Sequence, residues 1–196
     1  MESSIGCTVT ITNMSSELFD DALYYKELSE KTDDFFLKRR YQRTSLICFC
    51  ASAEAWMNQV IKEQLKNKKT LTQREQELFD FINNADKDIP KGYSNIRKRL
   101  YNFLPNTIIG KTINWSSNKQ DVFENYIELS GYRNSVVHYV SGKVKDLEVE
   151  TMKNILNKAP DIIEELFEKY ADMGSLLKVP SWYKERKSRV QKLESR

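Results

Sequence analysis

The sequence predicts an all-α protein, a bundle of about five or six helices. Hydrophobic residues make up 40% of the 196 residues, and the six glycines and four prolines are too few for a sheet of many short strands. Apolar residues recur at three- and four-residue steps through most of the chain, as on one face of a helix. This length suits one domain.

Three segments are predicted: an N-terminal arm over residues 1–14, a helical domain over 15–174, and a basic tail over 175–196. Residues 7–12 (CTVTIT) alternate like a strand, but no second strand pattern accompanies them, so we expect an edge strand or an ordered arm. From Lys178 onward the tail holds seven Lys or Arg against two Glu.

The first two predicted helices form the front half of the domain. SSELFDDALYYKELSEK offers Ser15 or Ser16 as its N-cap. Residues 33–66 follow without glycine or proline, and their periodic apolar positions indicate the longest helix and the centre of the fold. Next, Thr72 with Glu75 three residues later forms a capping box for a third helix.

Three further helices are predicted after residue 90. YSNIRKRLYNFL is expected to end at Pro105. Residues 119–141 are expected to be capped by Ser117 or Asn118 and stopped by Gly142. In the last helix, residues 148–173, Pro160 is expected to produce a kink or a break.

Composition limits the function classes. A net charge of +3 does not by itself indicate a nucleic-acid-binding protein. Cys7, Cys48 and Cys50 lack metal-ligand spacing, so we expect free buried thiols, no metal and no cofactor. No signal-peptide pattern or apolar run of roughly 20 residues occurs, so we expect a cytoplasmic protein without membrane contact.

The stretch GYRNSVVHYV, residues 131–140, carries the chemistry. It contains the only histidine, His138, five residues after Arg133, on an otherwise apolar helix pattern. On an ideal helix five residues turn about 500°, which leaves the two side chains about 140° apart. Asn134 and His138, four residues apart, share a face. A substrate bound across the helix end, or a second copy of the helix, would bring Arg133, Asn134 and His138 to one site.

RNSVVH resembles the R-x4-6-H motif of the HEPN superfamily, in which a polar residue often follows the arginine. AEAWMN on the long helix also resembles the apolar helix with embedded Glu and Asn that packs beside the motif in many members. The resemblance implies an all-α bundle, a homodimer with two motifs facing one cleft, and metal-independent cleavage of RNA. It further implies a toxin or an antiviral, abortive-infection effector, with a protein antitoxin or regulatory partner.

One position departs from the pattern of the HEPN toxins that are paired with nucleotidyltransferase antitoxins. There a tyrosine follows the histidine with one residue between, whereas here Tyr139 follows His138 directly. This departure argues against regulation by tyrosine modification, and it does not affect the nuclease hypothesis. Tyr139 is then a supporting or packing residue.

Metal-free cleavage needs a base for the 2′-OH proton, an acid for the leaving 5′-oxygen and a cation for the phosphorane charge. One chain has one histidine, whereas two chains related by a twofold axis supply two. We therefore expect Arg133 to bind the scissile phosphate, His138 to transfer protons, and Asn134 to orient the phosphate or the arginine. The expected substrate is single-stranded or loop RNA.

Glu54 is either a direct partner of Arg133 or a solvated edge residue, and Asn58, one turn later, shares that uncertainty. Swapping the charges of Glu54 and Arg133 would test the pairing.

Two basic clusters either follow an RNA backbone, with tyrosines stacking on bases, or are only the solvent-exposed faces of helices. These clusters contain Arg39, Arg40, Arg43, Arg97, Lys98 and Arg99.

The absence of a glycine-rich phosphate loop and of a nucleophile elbow excludes a P-loop enzyme and a serine hydrolase of the usual type. Two alternatives to the nuclease stay open. One is a non-catalytic module of the same fold that binds RNA or protein. The other is a structural or antitoxin-type partner that forms a stable complex with another protein and has no RNA affinity.

Overall fold

A computed structural model describes residues 13–84, 86–138 and 148–184, together with residue 190. Every regular element in these ranges is helical, so the prediction of an all-α fold is confirmed. The predicted arm at residues 7–12 lies outside them. The elements are α1 (Met14–Lys31), α2 (Phe35–Lys66), α3 (Gln73–Asn83), α4 (Ile96–Lys98), a π-helical turn (Arg99–Phe103), α5 (Leu104–Ile109), α6 (Asp121–Val137), α7 (Val149–Asp172) and a 3-10 turn (Trp182–Lys184).

Helix α2 is the centre of the fold, as predicted, and α1 packs along one side of it. Small polar residues allow the two helices to approach closely, because their hydroxyls are satisfied by backbone carbonyls. The Ser45 hydroxyl donates to the Ala22 carbonyl at 2.7 Å, and that of Ser52 donates to the Ser15 carbonyl at 2.6 Å. Helix α1 therefore covers the side of α2 that is opposite Glu54, because nine residues of helix turn about 180°.

Helix α7 runs parallel to α2. Near the start of both helices, Gln42 Nε2 donates to the Val149 carbonyl at 3.0 Å. Farther along, the Trp56 and Phe167 rings stack with their centroids 4.0 Å apart. These two contacts show that α2 and α7 begin at the same end of the bundle.

Helix α6 runs antiparallel to both of them. Its early residue Phe123 stacks on Tyr170 at the end of α7, with ring centroids 5.3 Å apart. Later in α6, the Leu129 carbonyl lies 4.0 Å from the Cys50 sulfur. The end of α6 therefore lies beside the amino-terminal half of α2.

Helix α6 ends earlier than predicted. It stops at Val137, and His138 is its C-cap, with φ −111° and ψ 83°. The prediction of a helix to residue 141 is therefore wrong, and its predicted stop at Gly142 lies outside the described part of the chain. Val136 and Val137 are β-branched and have low helix propensity, which favours an early end.

Two predicted N-caps are wrong and one is confirmed. Helix α1 is capped by Asn13, whose Oδ1 accepts from the Ser15 amide at 3.1 Å, because Ser15 itself is buried against α2. Helix α6 begins after Gln120 with no side-chain cap, not after Ser117 or Asn118. The capping box of Thr72 and Glu75 is present at α3.

Neither proline ends a helix. Pro105 lies in the first turn of α5, where a missing amide costs little. The Tyr101 carbonyl, four residues earlier, instead accepts from the Ile113 amide at 2.8 Å. Helix α7 continues through Pro160 from Val149 to Asp172, so the predicted break does not occur.

The first part of the predicted tail packs on the bundle. The Trp182 ring lies 5.2 Å from Phe19 and 5.9 Å from Phe167, measured between centroids. None of the helices described is long and apolar enough to span a membrane.

Candidate functional site

Glu54 on α2 lies between two arginines. One carboxylate oxygen, Oε1, accepts a hydrogen bond from Nη2 of Arg133 on α6. The other, Oε2, accepts from Nη1 of Arg99 at 3.3 Å. Of the two alternatives for Glu54, the direct partner of Arg133 is therefore the one observed. Two guanidinium groups around one carboxylate leave this cluster with one net positive charge.

Arg99 was assigned by its sequence cluster to RNA binding, but the structure directs it inward. Only 9% of the residue is exposed, its Nε donates to the Tyr93 carbonyl at 3.2 Å, and its guanidinium lies 4.5 Å from the Tyr93 ring centroid. The Tyr93 hydroxyl in turn donates to Asn58 Oδ1 at 2.6 Å. Glu54 and Asn58, one turn apart on α2, thus jointly hold the segment that carries Tyr93 and Arg99.

Arg133 lies at the edge of the bundle and is held there by Glu54 and Asn134. Its side chain is 27% exposed, and Nη1 donates to Asn134 Oδ1 at 3.1 Å. Burial acts to lower the pKa of Arg133, but the Glu54 carboxylate outweighs it and raises the pKa above its ordinary value. Arginine is protonated in any case, so the main effect of Glu54 is to fix the orientation of the guanidinium.

Cys50 lies beneath this cluster and is fully buried. Burial raises the pKa of its thiol to about 12, against the opposing effect of Arg133. The thiol is therefore neutral and unsuited to act as a nucleophile. Cys48 and Cys50 are both free, as predicted, but only Cys50 is buried and Cys48 is partly exposed. Cys7 lies outside the described residues.

Asn134 and His138 are both exposed at the open end of α6. The His138 amide donates to the Asn134 carbonyl at 2.8 Å, which closes the last turn of the helix. Because His138 is already outside the helix, its side-chain direction is not bound to the helical face of Asn134. Arg133, Asn134 and His138 thus lie together at one helix end, with Arg133 directed to Glu54. Tyr139 lies outside the described ranges.

The first basic cluster lies on the amino-terminal half of α2. Residues 35–53 contain four cations and no acidic residue. Arg40 is exposed, and Arg39 and Arg43 are partly exposed. Within the described ranges none of these three arginines forms an ion pair. Because α6 is antiparallel to α2, this cluster lies at the same end of the bundle as His138.

The second basic cluster is largely occupied by internal contacts. Arg97 donates two hydrogen bonds to the Glu124 carboxylate, at 2.5 and 2.8 Å, and the Tyr101 hydroxyl adds a third at 2.8 Å. Lys98 is exposed. The RNA-binding role predicted for Arg97 and Lys98 stays a prediction, and the geometry favours a structural role for Arg97.

The Glu124 contacts predict a pH dependence of stability. The hydrogen bond from Arg97, followed by that from Tyr101, holds the pKa of Glu124 below its ordinary value. A carboxyl whose folded pKa is depressed stabilises the fold above its unfolded pKa of about 4.3, and this contribution is lost as pH falls through the folded pKa. We expect Glu124→Gln to lose less stability than wild type between pH 6 and pH 3 in urea titrations. An equal loss in both proteins would contradict this assignment.

A groove of about 490 Å³ lies between α6 and α7. Its polar lining includes Asn125, Glu128, Asn154 and Lys158, but none of Arg133, Asn134 and His138 lines it. Asn134 and His138 are instead exposed at the end of α6, and Arg133 is partly buried beside them.

Within the described ranges, no group of three or more His, Cys, Asp or Glu side chains is arranged to hold a metal ion. No family model matches the chain, and the comparisons with curated proteins and with solved structures give no match either.

Proposed function

We propose that this chain is a metal-independent RNA endonuclease of the HEPN type, which cleaves single-stranded or loop RNA in a cleft between two subunits. One observation carries the proposal: Glu54 binds the Arg133 guanidinium and holds it in place beside the exposed Asn134 and His138 at the end of α6. The roles as a toxin or an antiviral effector, and a protein antitoxin as partner, rest on the resemblance of RNSVVH alone.

Arg133 is the proposed phosphate ligand. Its fork has five N–H donors, and the bonds to Glu54 and Asn134 leave others for a phosphate oxygen. The net positive charge of the Arg99–Glu54–Arg133 cluster would stabilise the negative charge that grows on the phosphorane. Asn134, through its contact with Nη1, would keep that fork turned towards the substrate.

His138 is the proposed proton-transfer group. In the first step a neutral imidazole takes the proton from the 2′-OH, the 2′-oxygen attacks the phosphorus, and the P–O5′ bond breaks as a protonated imidazole gives its proton to the 5′-oxygen. The products are a 2′,3′-cyclic phosphate and a 5′-hydroxyl. This step uses one imidazole in each protonation state, which two subunits supply.

The open position of the site supports a dimeric cleft. In a single chain His138 is exposed to water, whereas general acid–base catalysis is favoured in an enclosed site. Val137, the last residue of α6, is 49% exposed and provides apolar surface for a second copy. We propose that two α6 ends meet about a twofold axis near this residue.

A matched pair of substrates tests the 2′-OH mechanism. We expect the chain to cut an RNA oligonucleotide and to leave the same sequence uncut when every ribose is replaced by 2′-deoxyribose. Sedimentation equilibrium on the same sample should give a dimer. Cleavage of the deoxyribose substrate, or activity from a monomer at concentrations where no dimer forms, would contradict the proposal.

One observation favours the alternative, a non-catalytic RNA- or protein-binding module of the same fold. The Arg133 guanidinium already has two internal partners, as expected for a group whose main task is structural. A binding module predicts RNA affinity without turnover in any substrate, and affinity that survives replacement of His138.

A further inference from the structure

The amino-terminal end of α2 presents two aromatic rings to solvent. Phe35 is 54% exposed and Phe36 is 80% exposed, and their ring centroids lie 5.7 Å apart in an edge-to-face arrangement. The Arg39 guanidinium lies 5.5 Å from the Phe35 centroid. Adjacent exposed phenylalanines lose hydrophobic stabilisation, so a surface that keeps both rings in water suggests a ligand for them.

One of these rings, Phe36, shares a face of α2 with the candidate site, and Phe35 projects about 100° away from it. From Phe36 to Glu54 is 18 residues, about five full turns, and from Arg43 to Glu54 is 11 residues, about three turns and 20°. Phe36, Arg43 and Glu54 therefore project from nearly the same side of the helix. This is the side from which Glu54 contacts Arg133.

The rings also lie close to His138 along the bundle. Cys50 on α2 contacts Leu129 on α6. Nine residues onward in α6 reach His138, and nine residues back along the antiparallel α2 reach Tyr41, so His138 lies near the level of Tyr41. Phe36 is then about 7.5 Å beyond it, at a rise of about 1.5 Å per residue. The order along this surface is Arg133, Arg43, His138, Arg40 and Phe36.

The charge of this surface fits a nucleic acid. Lys38, Arg39, Arg40 and Arg43 are the four cations of residues 35–53, where no acidic residue occurs. No ion pair within the described part of the chain neutralises them. A second copy of the chain docked face to face over residues 35–43 would bring these like charges together, whereas a phosphate backbone would neutralise them.

We propose that Phe35 and Phe36 form a stacking platform for unpaired bases of the RNA strand, with Arg39, Arg40 and Arg43 binding its phosphates on the way to Arg133. This inference rests on the proposed nuclease function, to which it adds selectivity for single strands. Bases in a duplex already stack on one another, so their faces are closed to the rings, whereas unpaired bases gain stacking energy from them.

The test measures binding apart from cleavage. In the His138→Ala background, fluorescence anisotropy gives the affinity of the full-length chain for a labelled single-stranded RNA and for the same strand in a duplex. We expect Phe36→Ala to weaken single-strand binding roughly 5- to 150-fold and to leave duplex binding unchanged. Ile89→Ala, at a position 57% exposed, is the matched apolar control and should change neither affinity.

A charge variant separates stacking from electrostatics. Arg40→Ala should weaken single-strand and duplex binding alike and should make the salt dependence shallower, by about 0.7 in the log–log slope for a single strand. Lys91→Ala, exposed after α3, is the matched control and should leave the slope unchanged.

Three results would overturn the platform: unchanged single-strand affinity in Phe36→Ala, equal losses for single strand and duplex, or a shift of that variant from dimer to monomer. The last would assign the rings to a protein contact. If the wild-type chain cleaves RNA and Phe36→Ala binds single strands normally, the nuclease hypothesis stands and the stacking platform is rejected. If the chain binds single strands through Phe36 but never cleaves them, the stacking platform stands and the nuclease hypothesis is rejected.

Discussion

Replacing His138 with alanine is expected to reduce the rate of RNA cleavage by about 10²- to 10⁴-fold, the usual contribution of a positioned acid–base group. The same change should alter the free energy of unfolding by less than about 0.5 kcal/mol. His138 is exposed, and the hydrogen bond from its amide to the Asn134 carbonyl does not depend on the side chain. Initial rates on a labelled single-stranded RNA and urea titrations measure the two quantities.

His138→Gln is the matched control for this prediction. Glutamine keeps a polar side chain with hydrogen-bonding capacity but cannot shuttle a proton near neutral pH. We expect it to be as inactive as the alanine variant. Substantial cleavage by His138→Gln would assign His138 a binding role in place of proton transfer.

Replacing Glu54 with glutamine is expected to cost about 2 kcal/mol of unfolding free energy and to reduce cleavage as well. The change leaves Arg99, which is nearly buried, and Arg133 without their shared carboxylate. Two guanidinium groups would then repel each other inside a partly desolvated site. Without Glu54 as its anchor, Arg133 would also lose its fixed orientation towards the phosphate.

Glu63→Gln, on the same helix, is the matched control and should be nearly neutral. Both variants must be compared at one protein concentration, because the stability of a dimer depends on it. A Glu54→Gln variant as stable as wild type would show that the contacts of Glu54 with Arg99 and Arg133 contribute little to stability.

The charge swap suggested by the sequence is no longer a clean test of the pair. Glu54 serves Arg99 as well as Arg133, so arginine at position 54 would face Arg99 even with glutamate at position 133. A double-mutant cycle with Glu54→Gln and Arg133→Gln isolates the pair better, and we expect a coupling energy of about 1 kcal/mol for groups this close. Additive effects would contradict a direct interaction.

Local signals in the sequence predicted much of the fold. A segment without glycine or proline and with helical periodicity predicted the central helix, which runs from Phe35 to Lys66. The capping box at Thr72 was predictable because its two reciprocal bonds join residues only three apart. The all-α class followed from the same periodicity.

Features that depend on tertiary contacts were not predictable in this way. Ser15 or Ser16 was the expected cap of the first helix, but Ser15 is buried against Ser52 and Asn13 caps the helix instead. The helical path continues past Pro105 because Ile113, eight residues later, supplies the missing hydrogen-bond donor to Tyr101.

The candidate site shows the same division. RNSVVH indicated Arg133, Asn134 and His138, and AEAWMN indicated Glu54 as one of two alternatives. Arg99 was missed as a partner of Glu54, because its neighbours in IRKRLY suggested a wet basic face. The signal available in the sequence was that Arg99 directly precedes the apolar residues Leu100 and Tyr101. Both of these residues are fully buried in the structure.

RNA cleavage by the wild-type chain in the presence of EDTA, with analysis of the product ends, tests the central claim most directly. The proposed mechanism predicts cutting that survives chelation and leaves 2′,3′-cyclic phosphate and 5′-hydroxyl ends. Cutting that requires a divalent cation and leaves 5′-phosphate ends would contradict it. So would the absence of any cutting by folded, dimeric protein across varied single-stranded and hairpin RNAs.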